Sequence, residues 1–401
     1  MHKAMQTTMP ESLPLALTES LTTWRHHFHR QPETGFAERN TADYVAAQLS
    51  RLGIEVHRGI GGTGLVGVLR RGDPSQRRTI ALRAEMDALP IQERAEGRMH
   101  ISQIGGTMHA CGHDGHMAMV LGAAQLLALA GGFEGTVLFV FQPAEEHGKG
   151  AQAMLDDGLL TRFPMDEIYG VHNMPGLPAG HIVTRAGGIM ASEDNFVIDI
   201  VGRGTHAARP HMGVDPIVVG SEIVLALQTI VARSIDPVEP AVVSVTEFIT
   251  DGIRNAIPTH VTLRGDTRSY SSEVQAQLAR RMGEIVQGVC ATHGAQGRLT
   301  YTHEFLPTVN PPERVEAVVA AATKVVGAAR VDGNTPPILA SEDFGTFLRH
   351  VPGNFAFIGN GAPGEPGGLP LHNAGYDFND RILPIGAGYF TTLVRDRLAV
   401  N

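Results

Sequence analysis

Cysteine is scarce in this chain of 401 residues: Cys111 and Cys290 are the only two. Disulfides are therefore excluded as the framework of the fold, and reduced thiols in a cytoplasmic setting are expected. Basic side chains are outnumbered, 32 Lys and Arg against 41 Asp and Glu, for a formal net charge of -9, and no long run of Lys or Arg occurs. Nucleic acid and anionic membranes both demand a basic surface, so neither is expected as a partner. A bilayer-length apolar run is lacking too. The longest uncharged stretch, His116 to Phe133, contains Gln125, ends in Gly131-Gly132 and falls short of the ~20 residues a span requires. Pro10, Glu11 and Pro14 interrupt the segment from Met1 to Leu21, which has no apolar core of the secretory kind. Internal repeats and low-complexity tracts are missing as well.

What is present reads as an ordinary soluble enzyme, 43% hydrophobic and 18% charged. At ~100–200 residues per domain the length allows two or three domains. After a loose tail at 1–13, helical patterns cover Leu15 to Arg30 and Thr41 to Leu52, the second with Thr41 as N-cap and Gly53 as stop signal. Strands are expected at Leu65 to Leu69, Thr79 to Ala84, Gly135 to Gln142 and Ile168 to His172, with a helix from about His113 to Ala130. The run GTVLFVFQ from Gly135 is almost wholly apolar, as in a sheet covered on both faces. From about Gly188 the order changes to β-α-β-β-α-β, a ferredoxin-like pattern of one sheet with two helices. A helix from Pro311, a strand at Phe355 to Ile358 and a last helix from Pro384 return to the first texture. The expected architecture is α/β, with a catalytic domain (14–187 and 305–401) built on a mostly parallel sheet. Inserted into it is a ferredoxin-like α+β domain at 188–304.

Chemistry-bearing residues gather after the expected strands. Glu85 and Asp87 follow one strand, Glu145 and Glu146 another; His172 ends a third, and His372 lies in the loop after a fourth. Ligands of open α/β sheets bind beyond the carboxyl ends of the strands, so four segments deliver carboxylate or imidazole to one edge. In Cys111-Gly112-His113 the glycine lets the backbone bend so that thiolate and imidazole point one way. That pair suits zinc, and carboxylates widen the range to manganese or cobalt. Glu145 and Glu146 are adjacent carboxylates, which repel unless a cation or proton lies between them. One ligating metal and the other holding a proton would resolve this. Cys290 sits in a helical pattern and reads as a small core residue.

The strings RAEMDALP (Arg83 to Pro90), MHACGHDGH (Met108 to His116), FQPAEE (Phe141 to Glu146), HNMPGLP (His172 to Pro178), GRGTHAARP (Gly202 to Pro210), SEDF (Ser341 to Phe344) and LHNAGYDFND (Leu371 to Asp380) resemble the peptidase M20 family. They are closest to its amidohydrolase branch, which holds hippurate hydrolases, N-acyl-amino-acid amidohydrolases and plant auxin-conjugate hydrolases. The resemblance runs from about Leu21 to Arg397. It implies two divalent metal ions per subunit, Zn2+, Mn2+ or Co2+, on Cys111, His113, Glu146, His172 and His372. Cys111 takes the place of a bridging Asp in related peptidases. The resemblance also makes Glu145 the general base and Asp87 a carboxylate that orients a ligand. Glu85 falls where peptidase relatives carry a His ligand, a role that passes to His113 here. In the inserted lid domain, His206 matches a histidine that reaches an active site, often the partner subunit's. Asn255 and Arg268 match positions that contact the substrate's carboxylate end. The implied activity is hydrolysis of small N-acyl amino acids by a homodimer or homotetramer joined through the lid. A dipeptidase, carboxypeptidase or N-carbamoyl-amino-acid hydrolase is the alternative.

Overall fold

The computed structural model describes residues 15–73, 78–94 and 97–400. The expected tail at 1–13 lies outside them. The chain folds into two compact units. The first comprises the residues up to Gly187, Asn310–Pro336 and those from Thr346 onward; the second comprises Gly188–Val309 and Pro337–Gly345. Relative to the expected 188–304 segment, the second unit runs five residues further and takes in a separate piece of chain. Main-chain pairing explains that piece: Met190 bridges Ile338, and Ala191 N–H donates to Ala340 O at 3.1 Å.

The sheet of the first unit has eight strands. In chain order they are β1 (Glu55–Ile60), β2 (Gly64–Arg71), β3 (Thr79–Glu85), β4 (Gly135–Gln142), β5 (Glu167–Pro175), β6 (Ile182–Val183), β7 (Val331–Asp332) and β8 (Gly353–Gly361). Across the sheet they run β1-β2-β4-β3-β5-β8-β6-β7. The central four, β4, β3, β5 and β8, are mutually parallel, so their carboxyl ends share one edge. Every residue of β3 and β8 is buried, as in strands covered on both faces. Helix α3 (His113–Ala130) is apolar on nearly all sides and correspondingly buried, between the sheet and helices α1 (Leu15–Arg30) and α4 (Leu383–Arg397).

Helix α2 (Arg39–Arg51) begins two residues before the expected cap. Thr41 is not its N-cap. Instead Glu33 reaches over from the preceding segment, accepting Thr41 N–H at 2.8 Å and Thr41 Oγ1–H at 2.9 Å through Oε2. A carboxylate there also favours the positive end of the helix dipole.

Arg25 on α1 is fully buried and meets Asp114 at 3.5 Å, Asp377 at 3.0 Å and Asp380 at 2.8 Å. It thereby ties α1 to the start of α3 and to the loop that follows β8. Arg25→Ala would leave those carboxylates short of their shared cation, and the expected loss of unfolding free energy is ~3–5 kcal/mol. Urea unfolding measures it, and a loss below ~1 kcal/mol would contradict this assignment.

In the second unit, four antiparallel strands, Glu193–Val201, Ala241–Thr250, His260–Ser269 and Gln296–Phe305, lie in the spatial order second, third, first, fourth. Alternate residues of the first strand, Phe196, Ile198 and Ile200, face a core completed by Val219, Ile223 and Leu227 of helix Pro216–Thr229 and Leu278, Met282 and Val286 of helix Ser272–His293. This is the ferredoxin-like arrangement the sequence pattern predicts.

Candidate metal centre

Four strand ends build the site. Asp87 follows β3, Glu145 and Glu146 form a 3-10 turn after β4, His172 lies near the end of β5, and His372 stands in the loop beyond β8. Cys111 and His113 come from the turn that opens α3. Backbone strain concentrates in these turns. Gly112, between Cys111 and His113, has φ +91°, and a Cβ there would lie 2.2 Å from Asn173 Oδ1. Ala144, just before Glu145, has φ +48°, and His372 itself has φ +62°. A left-handed conformation costs a non-glycine residue ~1–2 kcal/mol, so neighbours must impose it. Ala144 N–H donates to the buried carboxylate of Glu38 at 2.8 Å, and His372 N–H donates to Ala110 O at 2.9 Å. The second bond pins His372 beside Cys111.

The five expected ligands converge. The ligand atoms of Cys111, His113 and His172 all lie within 4.8 Å of one another, and so do those of Cys111, Glu146 and His372. Cys111 belongs to both groups. Its Sγ is 3.4 Å from His172 Nε2. Each ring is aimed from behind. His172 Nδ1 meets the Asn173 carbonyl at 2.8 Å, and His113 Nδ1 meets the Asp87 carbonyl at 2.8 Å with Asp87 Oδ1 at 3.3 Å. Those bonds fix the tautomers and turn both Nε2 atoms inward. Asp87 Oδ2 also accepts Glu146 N–H at 3.0 Å, so one carboxylate touches both His113 and Glu146.

Electrostatics separate the donors. Burial, then the charges of Glu146 and Glu145, push the Cys111 thiol well above its ordinary range. Burial opposes a charge on His113, but its hydrogen bond to Asp87 and the charge of Glu85 push it up to about 10. Burial, aided by His116, holds His172 well below the usual imidazole value. Glu146 is lowered despite burial, by His372 and His113. Its Oε1 lies 3.5 Å from His372 Nε2 and 4.0 Å from His113 Nε2. Neither that oxygen nor His113 Nε2 makes a hydrogen bond among the described residues. Orphaned buried polar atoms cost ~1–3 kcal/mol each, more if charged. A divalent cation among thiolate, imidazole and carboxylate relieves that cost, so the donor set fits the group. Glu145 is buried beside them, Oε2 3.9 Å from His113 Nε2.

Glu85 is not among these donors. Its carboxylate pairs with Arg83 and accepts from His116 Nδ1 at 2.8 Å. His206, Asn255 and Arg268 belong to the second unit. His206 and Asn255 are exposed neighbours: Ala256 pairs with His206, and Ala207 N–H donates to Asn255 O at 3.0 Å. His206 Nδ1 accepts Ala208 N–H at 3.0 Å, which leaves its Nε2–H to donate outward. Arg268 is on another strand, with its guanidinium held by Glu193 at 2.8 Å, Asp266 at 3.0 Å and Ser341 Oγ at 2.6 Å. Those partners give it a role within its own unit. Two residues beside the ligands, Asn173 and Tyr376, are fully buried and hydrogen-bonded to each other at 2.6 Å. Reasoning from charge and ligand type passes over an amide and a phenol, although both fall within the strings that carry the resemblance.

Residues 81–396 match the profile of peptidase family M20/M25/M40. The hippurate hydrolase of Campylobacter jejuni is 37% identical over 369 residues, covering 92% of this chain and 94% of that protein. Thermostable carboxypeptidase 1 of Saccharolobus solfataricus is 36% identical over 368 residues, covering 90% and 91%. Among solved structures, the Bacillus subtilis YXEP protein, a dinuclear metal binding peptidase from the M20 family, superposes with a TM-score of 0.83 at 30% identity, covering 96% of this chain and 99% of that one.

Proposed function

The chain belongs to peptidase family M20/M25/M40, and from that premise we propose that it hydrolyses the amide bond of N-acyl amino acids, hippurate-like conjugates above all, to a carboxylic acid and a free amino acid. One observation carries the reading: two three-donor groups share the Cys111 thiol, with the Glu145 carboxyl buried beside them.

Cys111, His113 and His172 would hold one cation, and Cys111, Glu146 and His372 the other; Zn2+, Mn2+ and Co2+ all suit these donors. Bound cations supply Lewis acidity and lower the pKa of water toward ~7. The protein's own groups do the rest. Glu145 takes the proton from the attacking water and delivers it to the leaving nitrogen. Asp87 keeps His113 and Glu146 aligned as ligands, and the proton falls to Glu145. His206, with an outward Nε2–H, is the proposed donor to the developing oxyanion, and Asn255 and Arg268 are the proposed contacts of the substrate's carboxylate end.

Assembly of copies through the second unit is part of the proposal. Ile217, Val218 and Leu225 are exposed on helix Pro216–Thr229, and Phe248 and Ile249 on the edge strand Ala241–Thr250. The stretch Pro216–Ser234 is apolar enough by composition to cross a membrane. Its inner side, however, is built into the core of its own unit, which favours a second copy of the chain on the outer side. A cytoplasmic location with Cys111 kept reduced completes this reading.

The carboxypeptidase relative keeps a second reading open, hydrolysis of peptides with a free amine. A panel of benzoyl-, acetyl-, indoleacetyl- and carbamoyl-amino acids with dipeptides, assayed on Mn2+-reconstituted protein, separates the two. An N-acyl substrate is expected to exceed every dipeptide in kcat/KM by ~100-fold. Preference for a dipeptide would overturn the N-acyl assignment.

A further inference from the structure

Beneath the ligands lies a buried polar chain with no part in the proton transfer. It begins at Arg83, whose Nε donates to Gln142 Oε1 at 2.8 Å and whose guanidinium pairs with Glu85. Glu85 Oε2 takes His116 Nδ1–H at 2.8 Å. His116 Nε2 accepts Asn173 N–H at 3.0 Å and lies 2.8 Å from Asn173 Oδ1. The Asn173 amide then donates to Tyr376 Oη at 2.6 Å. All six residues are buried to 1% exposure or less. Burial raises the Tyr376 hydroxyl well above the ordinary phenol range, so it stays neutral.

The position of Asn173 is what matters. Its carbonyl is the group that aims His172. Its side chain occupies the space that a Cβ on Gly112 would need, between Cys111 and His113, and Tyr376 Oη lies 2.7 Å from that same point. Tyr376 stands four residues after His372 in one loop, closed by Tyr376 N–H donating to Asn373 O at 2.9 Å. Three ligand-bearing segments therefore meet at one amide: the Cys111–His113 turn, the end of β5 and the His372 loop.

Resting on the two-cation reading above, we infer that Asn173 and Tyr376 form a positioning bridge that sets the distance between the His172 side and the His372 side of the centre. Cys111 can serve both groups only if these segments keep their spacing. Groups that hold ligands from behind typically contribute 10–100-fold in metal affinity.

The test uses the full-length protein, stripped by chelator and titrated with Mn2+ in a calorimeter. Tyr376→Phe removes one oxygen and keeps the ring in its pocket. It is expected to retain the wild-type melting temperature within a few degrees, to bind one of the two Mn2+ at least ~10-fold more weakly, and to lower kcat with little change in KM. Asn173→Ala is expected to show the larger loss, and the double variant to be no worse than Asn173→Ala alone, because the two side chains act as one unit. Wild-type Mn2+ affinity in folded Tyr376→Phe, or simple additivity in the double variant, would overturn the bridge while leaving the two-cation centre standing. A wild-type chain that takes up no Mn2+ would instead defeat the two-cation reading itself.

Discussion

Glu145→Gln is expected to bind both cations as the wild type does and to lose about 10³-fold or more in kcat. The change keeps shape and volume but removes the only function proposed for this side chain, carrying a proton from water to the leaving nitrogen; general acid–base groups contribute ~10²–10⁴-fold. Glu145 is buried beside the ligands and absent from both three-donor groups that share Cys111. Its neighbour Glu146 behaves differently. It is drawn into the charged form by His372 and His113, and its main-chain N–H is held by Asp87. Glu146→Gln should therefore lose a cation as well as activity, whereas Glu145→Gln loses activity alone. Metal analysis beside steady-state kinetics distinguishes them, and normal turnover in Glu145→Gln would remove it from the mechanism.

Cys111→Ala should be more damaging still, because Cys111 is the one donor common to both groups. Cation content is expected to fall from two per chain to one or none, and turnover below detection. Replacement by Asp, a carboxylate of similar reach that can also serve two cations, should restore part of both. The same thiol gives the centre its pH dependence. Without cations the Cys111 thiol is pushed well above its usual range and His113 up to about 10, so both hold protons near pH 7–8. A cation must displace those protons to bind. Apparent affinity should thus rise with pH, and titration in buffers of different ionisation enthalpy should register about two protons released by the wild type and about one by Cys111→Ala. Uptake with no proton release would contradict these protonation states.

Much of the centre was legible in the sequence because its logic is local. Apolar runs such as Gly135 to Gln142 announce buried parallel strands, and polar residues just past their ends have one edge to occupy. What escaped depends on residues far apart in the chain. The start of α2 was misplaced because its capping group is Glu33, eight residues before Thr41. Pro337–Gly345 belongs to the second unit through main-chain bonds that leave no pattern in side chains. Asn173 joins His116 across 57 residues and Tyr376 across 203, and neither an amide nor a phenol advertises a ligand. Charge and spacing pick out the groups proposed to hold a metal or a proton, while the buried groups behind them emerge only once the chain is folded.

One thiolate holding two cations together is the feature on which the proposed chemistry depends. Chelator-stripped wild-type protein and Cys111→Ala, each dialysed against Mn2+ and weighed by native mass spectrometry, test it most directly. Two ions per wild-type chain and no more than one in the variant are expected. Two ions retained without Cys111, or none bound with it, would contradict a shared thiolate.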